Sequence, residues 1–75
     1  MKPRKAQLIS KIRNAFYELG DSDCIELVNE IEYSDRPFRL LDRLREQATR
    51  NYDKSLNLIS NIQDLELLCE SEGDE

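Results

Sequence analysis

The sequence has no histidine and no tryptophan, two glycines, two prolines and two cysteines in 75 residues. Each shortage excludes a class of chemistry. Without histidine, neither cysteine has an imidazole to activate it, and a Cys–His nucleophile within one chain is excluded. Two thiols without a CxxC pair or histidine do not make a zinc site. Two glycines do not furnish a phosphate-cradling loop, and no serine sits in a nucleophile elbow. Cys24 and Cys69 are too few and too far apart for a disulfide-stapled scaffold, so free thiols are expected. No apolar run approaches the roughly 18–20 residues that span a bilayer. The basic N-terminus is interrupted at Ser10, Lys11 and Arg13 before any apolar core, so no secretory signal is expected and cytoplasmic residence is the default. These shortages point away from an enzyme and away from any metal or cofactor.

What the chain does have is charge, sorted into blocks. Residues 1–17 carry five bases and no acid, and residues 18–35 seven acids and no base. Residues 36–54 carry six bases against three acids, and residues 55–75 six acids and no base. Segregation of this kind lets neighbouring helices attract one another and also makes a two-toned surface for a partner. With 39% apolar residues the chain is not compositionally disordered, but it is near the lower size limit for a self-sufficient core. Dimerisation or docking on a larger protein is therefore expected to supply stability.

Apolar periodicity predicts an all-α domain over 1–69, with two short N-terminal helices packed on one long C-terminal helix. Pro3 suits a first helical turn, and Leu8, Ile9, Ile12, Ala15, Phe16 and Leu19 recur at three- and four-residue spacing up to Gly20. That spacing predicts a first helix over 3–19. Asp21 or Ser22 caps a second helix over 22–33, whose stripe is Cys24, Leu27, Val28 and Ile31. From 36 to 69 the apolar positions keep within one sector of about 140°, from Leu40 and Leu41 through Tyr52 and Ser55 to Leu65 and Cys69. The expectation is one helix about 50 Å long, capped by Ser34 or Asp35. The alternative is a break near Asn51–Asp53, with Asp53 capping a fourth helix. An acidic flexible tail is expected over 70–75.

A 50 Å helix cannot be covered along its length by a hairpin of the first two, so an apolar seam would face water. Tyr52, Leu58, Ile59, Ile62 and Leu65 are the candidate protein-binding residues on that seam, with Arg39 and Arg43 as its charged contacts. The resulting expectation is a small non-catalytic intracellular adaptor, regulator or inhibitor. It would bind another protein or itself, as a homodimer, by helix-in-groove or coiled-coil contact.

Two alternatives involve nucleic acid. Lys2, Arg4 and Lys5 on the first helix, with Arg36, Arg39 and Arg43, form a candidate phosphate-binding set behind a helix-turn-helix-like segment. A pI near 4.7 and the wholly acidic second helix weigh against it. The acidic blocks also suggest a mimic of nucleic acid that occupies a DNA-binding protein, but eleven bases dilute such a field. Glu26 and Glu30, four apart on one face, read as a solvated edge rather than a metal site.

Overall fold

The computed structural model describes residues 3–73 of the chain. Among them are four helices: α1 (Pro3–Leu19), α2 (Ser22–Tyr33), α3 (Phe38–Asn51) and α4 (Leu56–Gly73). The first two have the bounds their periodicity predicts. α1 ends in a Schellman turn, in which Asp21 N–H donates to Phe16 C=O (3.1 Å) and Gly20 N–H to Tyr17 C=O (3.2 Å). Gly20 takes φ +71° there, with nothing within 4 Å of where a Cβ would stand. Backbone angle, not space, is what requires glycine. Asp21 then caps α2, its Oδ1 accepting from Cys24 N–H at 3.1 Å.

Between α2 and α3 the turn differs from expectation. Neither Ser34 nor Asp35 caps α3; Pro37 holds the N-cap position without a side-chain bond. Ser34 Oγ instead accepts from Arg36 N–H at 3.2 Å and tightens the connection.

The long helix over 36–69 is not formed. α3 stops at Asn51, Tyr52 closes its last turn through an N–H to Ala48 C=O bond, and α4 starts after Ser55. The interruption spans four residues, close to one helical turn, so the apolar stripe re-enters in the phase at which it left. Periodicity therefore cannot distinguish a straight continuation from a fold-back. Energetics can, because folding back buries Leu58, Ile62, Leu65 and Cys69 against the rest of the chain. At about 1.5–3 kcal/mol for each fully buried large apolar side chain, that outweighs a few lost helical hydrogen bonds of roughly 1 kcal/mol each. The helix also continues through Glu70 to Gly73, where an irregular tail was expected, and residues 74 and 75 of that tail lie outside the described residues.

The helices form a ring: α1 lies beside α2 and α4, and α3 beside the same two, while the backbones of the diagonal pairs stay apart among the described residues and only side chains meet in the centre. One core fills the centre, with Ile9, Ile12 and Phe16 of α1 meeting Cys24 and Ile31, Leu41 and Leu44, and Ile62 and Leu65. No polar or charged residue is buried among the described residues. Charge alternates around the ring. α1 carries four bases and one acid, α2 four acids, α3 four bases and two acids, and α4 four acids. Every helix–helix seam thus joins a net basic to a net acidic element.

Candidate functional site

Tyr52, Leu58, Ile59, Ile62 and Leu65 turn inward. Ile62 is fully buried, Leu65 is 1% and Leu58 5% exposed, and Ile59 packs half-buried against the same core. The seam that a straight helix would have left for a partner is covered by the chain itself.

Tyr52 is half-buried at the end of α3, its ring 6.2 Å from that of Phe16 and its hydroxyl donating to Asp21 Oδ2 at 2.6 Å. Asp21 serves both turns at this end of the bundle, one oxygen capping α2 and the other receiving Tyr52. The Tyr52 hydroxyl holds the Asp21 carboxyl below its ordinary value, against an opposing effect of burial. The same bond pushes the Tyr52 phenol up to about 12.

Cys24 is buried on α2, with its thiol donating to Gln47 Oε1 at 3.5 Å. Burial, followed by the neighbouring Asp21, pushes that thiol up to about 12, which keeps it protonated and unreactive at neutral pH. No group of three or more potential metal-ligating side chains assembles among the described residues.

Two seams are closed by ion pairs. Arg13 Nη2 meets Glu32 Oε1 at 2.6 Å between α1 and α2, and Arg45 Nη1 meets Glu66 Oε2 at 3.3 Å between α3 and α4. Arg45 also reaches Asp42 Oδ1 at 3.4 Å. Glu66 Oε1 is buried without a partner, and burial raises the Glu66 carboxyl above its ordinary value despite Arg45. A raised value means the folded state prefers the protonated form, so ionised Glu66 is a net cost at neutral pH. Glu66→Gln is therefore expected to raise the melting temperature at pH 7 and to have no such effect near pH 3. Thermal melts at the two pH values check this, and a fall at pH 7 would mean the pair is net stabilising.

Arg39 and Arg43 are exposed on α3, as expected of charged contacts. With Arg50 they fall within about 40° of one another, directly opposite the buried Leu41, Leu44 and Ala48. None of the three makes an ion pair among the described residues. Arg43 and Gln47 form one wall of an open groove of about 280 Å³, and Asp23, Glu26, Leu27 and Glu30 of α2 form the other. Glu26 and Glu30 are exposed there, in keeping with the solvated edge read from the sequence, but their place opposite Arg43 in one groove was not read from it. Its signal was the alternation of charge from helix to helix, which becomes a two-walled groove once α2 and α3 are neighbours.

The nucleic-acid set does not assemble on one surface. Arg4 is exposed and Lys5 half-buried on α1, whereas Arg39 and Arg43 lie on α3 at the opposite corner of the ring. Arg36 is exposed in the connection before α3, and Lys2 lies outside the described residues.

The chain is an all-helical protein in which no helix is long and apolar enough to cross a membrane among the described residues. No family model matches the sequence, no curated protein matches it, and no solved structure matches the fold.

Proposed function

We propose that the chain is a small non-catalytic adaptor or regulator that acts in the cytoplasm by binding protein through the outer face of α2 and α3. Arg39 and Arg43 supply the charged contact. The observation that carries this reading is the outward stripe of Arg39, Arg43 and Arg50, exposed and free of ion pairs among the described residues, beside a wall of equally exposed carboxylates. The α1–α2 and α3–α4 seams each carry an ion pair, Arg13–Glu32 and Arg45–Glu66, whereas along α2 and α3 the opposite charges face outward. Such a surface favours orientation and association rate over tight apolar burial, which suits a reversible regulator.

The test is capture from the native host lysate on tagged wild type and on Arg39→Glu/Arg43→Glu, each with and without nuclease. Recovery of a stoichiometric protein is expected to fall at least about tenfold in the variant and to be indifferent to nuclease. Equal recovery on the variant would remove this face from the function. Loss on nuclease treatment would move the protein to the nucleic-acid class.

A further inference from the structure

Both walls of the α2–α3 groove carry charge that the fold does not use. The α1–α2 and α3–α4 seams are bridged by Arg13–Glu32 and Arg45–Glu66, yet no ion pair crosses from α2 to α3 among the described residues. The contact between Cys24 and Gln47 fixes the level of one helix against the other. Counting from it at ~1.5 Å per residue along antiparallel helices, Arg43 stands level with Val28, between Glu26 and Glu30. Arg50 stands level with Asp21, close to Asp23.

Resting on the reading that this face binds protein, we propose that its occupant is a second copy of the chain. A two-fold axis parallel to the helices lays α2 of one subunit along α3 of the other, antiparallel and at the same level. Arg43 then meets Glu26 and Glu30 of the partner subunit, and Arg50 meets Asp23 of the partner subunit, each contact occurring twice. Tyr33 lies 85% exposed at the end of the same acidic stripe, where its ring meets Arg39 of the partner subunit. A two-fold axis perpendicular to the helices would set acid against acid and base against base, so charge selects the first arrangement. Because the face is charged rather than apolar, the dimer is concentration-dependent and loosened by salt.

Sedimentation equilibrium of the full chain tests this, from about 10 μM to about 1 mM, at ~50 mM and ~500 mM salt. Wild type is expected to approach twice the chain mass at low salt and to return toward one chain mass at high salt. Arg43→Glu and Glu30→Arg are each expected to lower the association constant at least about tenfold. An equimolar mixture of the two should restore it, because Glu at 43 of one chain then faces Arg at 30 of the other. The mixture also controls for net charge: the variants carry −7 and −3, two either side of the wild-type −5. Both positions are exposed, and unchanged far-ultraviolet circular dichroism verifies that the variants fold. One chain mass at ~1 mM and low salt overturns the second copy as occupant, while loss of protein capture by the Arg39/Arg43 variant would still stand on its own. A dimer that both variants leave intact, or that the mixture does not restore, overturns this face as its interface.

Discussion

Ile62→Asp is expected to leave no folded protein at room temperature, whereas Leu56→Asp, six residues earlier on the same helix, should melt within about 0.5 kcal/mol of wild type. Ile62 is fully buried at the centre of the bundle and Leu56 is 73% exposed at the start of α4. A domain of 75 residues has a total stability of about 4–11 kcal/mol. Removing a buried isoleucine and placing a carboxylate in its site costs about as much as that whole stability. At Leu56 the new carboxylate would be hydrated and would sit at the positive end of the helix dipole. Circular dichroism melts of the two variants decide the matter. A folded Ile62→Asp would place that side of α4 outside the core, as a single straight helix requires.

Asp21→Ala should cost about 1–2 kcal/mol through the lost cap, or roughly 5–15 °C in melting temperature, and should also release Tyr52. The bond between these residues sets a pH dependence at both ends of the scale. The Asp21 carboxyl is lower in the folded chain than its ordinary 3.8, so its contribution is present above that value and is lost as the pH falls below it. The Tyr52 phenol is raised from 10.0 to about 12, so its contribution is full below pH 10 and is lost as the pH rises toward 12. Tyr52→Phe should lessen the alkaline loss, leaving the part that belongs to the Cys24 thiol, which is raised likewise from 9.0 to about 12, and should keep the α2 cap in place. If its melting temperature fell between pH 10 and 12 as steeply as that of wild type, the hydrogen bond to Asp21 would not be its source. Glu66 works in the opposite sense in acid, gaining as Asp21 loses, so the Glu66→Gln background should show the acid loss more steeply.

The short helices were legible because their ends are written in local chemistry: Pro3, Gly20 and Asp21 act on backbone groups within a few residues. So were the residues facing inward, since Leu41, Leu44, Ala48, Leu58, Ile62 and Leu65 were read as one apolar face and all are buried. What that face packs against was not legible. The four residues 52–55 advance the stripe by nearly a full turn, and α-helical phase survives a reversal of direction. Asn51 and Asp53 were the local sign of the break, and helix propensities of a few tenths of a kcal/mol do not overrule an unbroken stripe. Once the reversal is missed, an internal core reads as an exposed seam, and Leu58 or Ile62 reads as a partner contact. Arg39 and Arg43 escaped this error because their exposure depends on the face of α3 alone. Arg45–Glu66 joins residues brought together only by the reversal, and Asp21–Tyr52 residues brought together by the packing of α2 on α3, so no sequence spacing announces either pair.

Alternation of charge around the ring has one further consequence, which concerns mirror-image topology. Four helices joined by short turns can circulate clockwise or anticlockwise, and both circuits give each helix the same two neighbours. Every acid-to-base seam is therefore kept in either hand, and charge, which opposes like helices meeting side by side, is indifferent between the two. The hand falls to the detailed packing of the core and to the three connections, where Gly20 turns the chain with a positive φ and Pro37 fixes the entry to α3. Rebuilding those few residues is the route by which the bundle would reverse its hand with every seam charge unchanged.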